Sequence, residues 1–230
     1  MANKFNRIVW FGDSWVSGVR PDIVAFPKLV SDNLNLECTN LGKPATGYKE
    51  LLDTFVNNYR FLKSDDLVVC CLTSCYRQTL RIGETENISL NFSEARLATQ
   101  KTKSLVVDLS NDYFCSSQAF KAINLIYYMC QAKGVTCRFV NSFYHLTNVG
   151  ENLTPDEAWL INYRHTLVDS FFDIIEPEVR IHDSPKFTVS KWEQHKEKIS
   201  EFLIPNDTHP SQLGNEKIAE LLADKLKLLL

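Results

Sequence analysis

Residues 7–14 read RIVWFGDS. Arg7 to Phe11 is a short apolar run that breaks at Gly12, as a buried strand does when it hands the chain to a turn. Outward from this stretch the alternation of strand and helix repeats. PKLVSDNL (27–34) predicts a helix with Pro27 in its first turn, and LECTNL (36–41) predicts a second strand. Gly42, Pro44 and Gly47 interrupt the chain before an amphipathic helix, GYKELLDTFVNNYRFL (47–62). DLVVCCLT (66–73) is apolar without alternation, the pattern of a parallel strand covered on both faces. Residues 76–103 are polar and irregular, and read as an insertion or flap, because the rhythm resumes after them. A helix over 116–133 stops at Gly134 and gives way to the strand VTCRFVNSF (135–143). Thr154, Pro155 and Glu157 open a further helix over 154–175 with a capping signature, and SQLGNEKIAELLADKLKLLL (211–230) predicts an amphipathic last helix. Strands alternating with helices imply a single α/β domain over 1–230, built as a three-layer αβα stack around a mostly parallel sheet.

Composition excludes several classes. With 25 Lys and Arg against 28 Asp and Glu in 230 residues, the net charge of −3 leaves no basic footprint for nucleic acid or an anionic membrane surface. The seven cysteines (38, 70, 71, 75, 115, 130, 137) are odd in number, sit mostly in apolar stretches and lack zinc-site spacing. Free thiols of a reducing cytoplasm are expected. The first residues, MANKFNRIVWFGDS, lack the apolar core of a signal peptide, and no apolar run has membrane-span length. His145, His165, His182 and His195 are scattered without metal-ligand spacing. No metal, cofactor, nucleic-acid or membrane partner is therefore expected. GxGxxG, GxxxxGK[ST] and GxSxG are all missing from the sequence, which argues against dinucleotide, P-loop and α/β-hydrolase chemistry.

Two segments carry candidate chemistry. In an open parallel sheet, ligands bind beyond the carboxyl ends of the strands, where Gly12-Asp13-Ser14 stands. A tight glycine turn there exposes the Ser14 hydroxyl, and its backbone N–H suits a developing oxyanion. Taken alone, Asp13 or Ser14 is an ordinary helix cap. Near the other end, Asn206-Asp207-Thr208-His209-Pro210 directly precedes the last helix. A serine nucleophile needs a base, and histidine is the usual one.

Together, a GDS turn after the first strand and a D-x-H-P-S segment before the last helix resemble the GDSL (SGNH) hydrolase family. The resemblance frames nearly the whole chain and implies a flavodoxin-like αβα fold. It makes Ser14 the nucleophile and one oxyanion donor, and His209 the general base. Trp15 stands where the family name has leucine. The family's second block supplies a glycine N–H to the oxyanion; here NLGKPATG offers Gly42, Ala45 and Gly47, with spacing favouring Ala45 and residue type the glycines. The third block, G-x-N-D in the family, is replaced by Leu72-Thr73-Ser74-Cys75, so that the hydroxyl of Thr73 or Ser74 takes the place of an amide donor. Arg77 follows, as in divergent bacteriophage members, where it would meet an anionic or sugar substrate; such an origin would make the protein virion-associated. The family's D-x-x-H places Asn206, not aspartate, at the position of the triad acid, while Asp207 stands one residue closer to His209. Three outcomes stay open: Asn206 orients a weaker dyad, Asp207 reaches the ring through a shifted loop, or the site is inactive.

The resemblance implies a serine esterase hydrolysing a carboxylic ester, with a small acyl group on a carbohydrate as the expected substrate. The competing expectation is a catalytically impaired module of the same fold that binds a glycan or a partner protein.

Overall fold

The computed structural model describes residues 4–44, 46–73, 77–82, 86–91, 112–141, 200–205, 207 and 209–230. Strand β1 (Arg7–Phe11) leads into a four-residue helix, α1 (Ser14–Ser17), then α2 (Phe26–Asn33) and β2 (Glu37–Asn40). Helix α3 (Tyr48–Asn58) precedes β3 (Asp66–Leu72), which is followed by β4 (Arg77–Ile82) and β5 (Glu86–Asn91). Helix α4 (Asp112–Lys133), β6 (Thr136–Asn141) and α5 (Gln212–Lys227) complete the described elements, with short 3-10 turns at Tyr59–Phe61 and Ser200–Phe202.

Strands β2, β1, β3 and β6 lie side by side in that order, and every pairing is parallel. The chain steps from β1 outward to β2 and returns across β1 to β3, which puts its first two crossover helices on opposite faces. All seven residues of β3 are buried, as its unalternating sequence requires. Side chains two apart on a strand share a face. Ile8, Trp10, Leu67, Val69 and Cys71 pack with Phe26 and Val30 of α2 and Ile218, Leu222 and Leu226 of α5. Val9, Phe11, Val68, Cys70 and Phe139 pack with Leu51 and Phe55 of α3 and Phe120, Ile123 and Ile126 of α4. The result is the three-layer arrangement expected from the alternation of elements.

The segment expected to be irregular, 76–103, is corrected where it is described, and residues 92–103 lie outside the described residues. Residues 77–82 and 86–91 form an antiparallel hairpin, in register from Arg77 opposite Asn91 to Ile82 opposite Glu86. The missed signal is the alternation of Ile88 and Leu90 with Asn87, Ser89 and Asn91, joined to the preceding strand by Gly83-Glu84-Thr85. The helix expected over 154–175 lies outside the described residues, as do His145, His165, His182 and His195. Cys75 and the side chain of Cys115 also fall outside them, whereas Cys38, Cys70, Cys71, Cys130 and Cys137 are free thiols. No described helix is long and apolar enough to cross a membrane.

Candidate active site

Because the four strands are parallel, the segments leaving β1, β2 and β3 emerge at one edge of the sheet. The turn after β1 is built on Asp13. Its carboxylate Oδ1 accepts the Trp15 N–H at 3.0 Å, capping α1, and its carbonyl accepts the N–H groups of Val16 and Ser17. Trp15 and Val16 are buried in the core, which fixes the short helix against the sheet. Ser14 is left at the first helical position with only 8% of its surface exposed.

The loop after β2 lies against this turn. Its Leu41 N–H bonds the Trp10 carbonyl and its Lys43 N–H the Gly12 carbonyl, continuing the strand pairing past the formal end of β2. Asn40 bridges the two segments: its Nδ2 donates to the Val16 carbonyl at 2.6 Å, and its Oδ1 accepts the Gly42 N–H at 3.0 Å. A Cβ on residue 42 would stand 2.6 Å from the Ser17 nitrogen and 2.8 Å from Val16, so glycine is the residue that fits there.

His209 arrives from the far end of the chain on a loop that closes on itself. The Ile204 N–H bonds the His209 carbonyl, the Asp207 N–H bonds the Ile204 carbonyl, and Leu203 bridges Pro210. Buried Asn215 in α5 locks the base of this loop to α2, donating to the Pro210 carbonyl and accepting the Phe26 N–H at 2.9 Å. His209 Nε2 thereby stands 2.7 Å from Ser14 Oγ, across 195 residues of sequence. Its Nδ1 lies 2.6 Å from Asp207 Oδ1, and its own backbone N–H donates to the same oxygen at 3.2 Å. A carboxylate only accepts, so the proton belongs on Nδ1, and Nε2 presents its lone pair to the serine hydroxyl.

Of the residues that sequence offered as the orienting acid, the structure brings Asp207 to the ring; Asn206 lies outside the described residues. The closed loop explains how an acid two residues before the histidine reaches it, because the chain doubles back at Pro205. The oxyanion candidates separate in the same way. The Gly42 N–H is taken by Asn40, the Gly47 N–H by the Glu50 carboxylate at 3.1 Å, and the Thr73 hydroxyl donates to Asp13 Oδ2 at 3.3 Å. Gly42 and Thr73 therefore belong to the framework of the nucleophile turn, and Gly47 to the cap of α3. Among the described residues no acceptor takes the Ser14 N–H. Ala45 and Ser74 lie outside the described residues, and of Arg77 only the backbone, at the start of β4, lies within them.

Three framework residues escaped sequence reasoning. In sequence Asp13 is legible only as a generic cap, and Asn40 only as the first residue of NLGKPATG. Tyr48, whose hydroxyl donates to the Thr73 carbonyl at 2.9 Å, carries no local signal at all. Among the described residues, no group of three or more His, Cys, Asp or Glu side chains is placed to hold a metal ion.

No family model matches the sequence, and no curated protein does. Solved structures do. A protein assigned to the lipolytic G-D-S-L family from Desulfitobacterium hafniense DCB-2 superposes with a TM-score of 0.53 at 13% identity, over 96% of this chain and 99% of that one. A catalytic mutant of an acetylxylan esterase from Geobacillus stearothermophilus gives 0.52 at 9% identity, over 96% and 94%. A second mutant, described as an acetyl-xylooligosaccharide esterase from the same genus, gives 0.55 at 11% identity, over 96% and 94%. At these identities the likeness lies in architecture, and that architecture spans nearly the full length of both chains: this is a divergent chain with the GDSL (SGNH) hydrolase fold.

Proposed function

We propose that this chain is a serine esterase of SGNH type, with Ser14 as nucleophile, His209 as general base and Asp207 as the acid that orients it. The observation that carries the reading is the unbroken line Ser14 Oγ, His209 Nε2 (2.7 Å), His209 Nδ1, Asp207 Oδ1 (2.6 Å). In acylation, Ser14 Oγ attacks the ester carbonyl carbon as its proton passes to His209 Nε2. The tetrahedral oxyanion is met by the Ser14 N–H, with the Ala45 N–H and the Ser74 hydroxyl as the further donors that the sequence offers. Collapse breaks the ester C–O bond, and the imidazolium returns its proton to the departing alkoxide. Water activated by the neutral imidazole then releases the acid from the acyl-serine. Asp207 holds the productive tautomer throughout and its charge stabilises the imidazolium.

The substrate class proposed is a small acyl group, acetyl first, on a carbohydrate, with Arg77 among the groups that meet it. The esterases of similar architecture act on acetylated xylan and xylooligosaccharides by their descriptions, which supports placing this chain with them. The reaction as proposed uses no metal or organic cofactor.

A fluorophosphonate probe followed by peptide mass spectrometry tests the assignment. The expected result is a single adduct on Ser14, lost in Ser14→Ala and strongly slowed in His209→Ala. Absence of the adduct, together with absent hydrolysis of aryl acetates, would replace the esterase with a binding module.

A further inference from the structure

Asp13 has no surface exposure, and Ser14 follows it directly. A carboxylate held there needs donors in place of water. One is the Trp15 N–H on Oδ1, from its own helix. Another comes from a different strand: Thr73, buried at the end of β3, donates its hydroxyl proton to Oδ2 at 3.3 Å. Thr73 is itself held, since its carbonyl accepts the Tyr48 hydroxyl at 2.9 Å from the first turn of α3. A line of buried polar contacts thus runs from α3 through the end of β3 to the residue on which the nucleophile turn is built.

A threonine hydroxyl has one proton to give. Spent on Asp13, it is not available to an oxyanion, and the contact that links Thr73 to the nucleophile turn is the one to Asp13. We propose that Thr73 is a positioning residue for Ser14, fastening the Asp13 carboxylate so that the serine hydroxyl and N–H face His209 and the substrate together. The reason such a fastener is needed lies in the construction of the site. Ser14 is carried by the β1 turn, whereas His209 is carried by a separate loop tied to α5 and α2. Asn40 ties the α1 turn on the β2 side, and Thr73 ties it on the β3 side. Displacement of a reacting group by about 1 Å lowers rate on the order of a hundredfold. Loosening one tie reaches the chemical step without touching the substrate.

The inference rests on the esterase reading and is tested beside it. Wild type, Thr73→Val, Thr73→Ser and Tyr48→Phe are compared for kcat and KM on p-nitrophenyl acetate, for the rate of fluorophosphonate labelling of Ser14, and for thermal midpoint. Thr73→Val keeps the shape and removes the proton; kcat and labelling fall about tenfold with KM within twofold. Thr73→Ser keeps the proton and restores both to within threefold of wild type. Tyr48→Phe frees the Thr73 carbonyl and lowers kcat two- to fivefold, again with KM unchanged. Wild-type kcat in a folded Thr73→Val overturns the proposal. So does a Thr73→Ser as slow as Thr73→Val, which would assign the effect to packing, or a rise in KM alone, which would assign Thr73 to the substrate. If Thr73→Val does not fold, Tyr48→Phe decides, and wild-type kcat in that variant overturns the proposal. A wild-type protein that neither labels nor hydrolyses removes the esterase reading itself, an outcome distinct from all of these.

Discussion

Replacing Asp207 by asparagine tests which residue holds the imidazole. The carboxylate lies 2.6 Å from Nδ1, with about 40% of its side-chain surface exposed and 22% of that of His209. In the transition state of the proposed reaction the ring carries a full positive charge. Two unit charges about 4 Å apart attract by about 1 kcal/mol in water and about 4 kcal/mol at an effective dielectric constant near 20. The partial exposure of Asp207 places its contribution between these limits, at about 2 kcal/mol. Since about 1.4 kcal/mol corresponds to tenfold in rate, Asp207→Asn lowers kcat roughly thirtyfold. An amide can also turn its NH2 toward Nδ1 and select the wrong tautomer, so thirtyfold is the smaller end of the expected loss. The assay is steady-state hydrolysis of p-nitrophenyl acetate by Asp207→Asn and Asn206→Ala side by side, at a pH where wild type is on its plateau. Asn206→Ala stays within about threefold of wild type. If Asp207→Asn keeps more than a third of wild-type kcat while Asn206→Ala loses tenfold, the family position of the acid prevails and the geometry argued above is wrong.

Two further outcomes follow from the framework. A Cβ at residue 214 would lie 2.2 Å from the Phe202 carbonyl oxygen, a backbone atom that cannot swing aside, so Gly214→Ala destabilises the fold by about 2 kcal/mol, read from the urea midpoint. Since the Gly214 N–H donates to Oγ of Ser211, the N-cap of α5 two residues after His209, labelling of Ser14 slows in the same variant. The buried thiols give a pH dependence: burial pushes Cys70, Cys71 and Cys137 above the ordinary thiol value. The unfolded chain therefore loses these protons first, its contribution to stability is intact below about pH 8.5, and stability falls as pH rises beyond that. Urea midpoints between pH 7.5 and 10.5 measure it, and replacement of the three cysteines by alanine or serine, where folded, flattens the alkaline limb.

The architecture was legible because each element of the parallel sheet announces itself locally. RIVWF, ECTN and DLVVCCL are strands by composition alone, and each is followed by a turn signal or preceded by a helix stop. The β4–β5 hairpin was not, since its alternation is short and its polar residues outnumber the apolar ones. Ser14 and His209 could be nominated from sequence because their motifs are local, but the acid could not be chosen. That choice depends on a loop that reverses at Pro205 and ties its ends through the Ile204 and His209 backbones, a hydrogen-bond pattern with no fixed residue signature. The same holds for the oxyanion candidates. Whether the N–H of Gly42 or Gly47 is free depends on Asn40 and Glu50, neither of which differs in type from an ordinary surface residue. Thr73 and Tyr48 meet only because α3 packs beside the end of β3, a relation between segments that local reading does not contain.

The sequence separation of 195 between Ser14 and His209 also sets an order in time. A ribosome adding about 5–20 residues per second makes His209 on the order of 10–40 s after Ser14. Throughout that interval β1, β2 and α2 lack α5, so Ile8, Trp10, Phe26 and Val30 have no cover on the side that Ile218, Leu222 and Leu226 later occupy. The nascent chain thus carries an open apolar flank, and a Ser14 without His209 beside it, until α5 has left the exit tunnel. Reactivity of Ser14 toward a serine-directed probe would then report completion of the whole fold, and stalled chains ending before residue 209 would be the forms most in need of a chaperone.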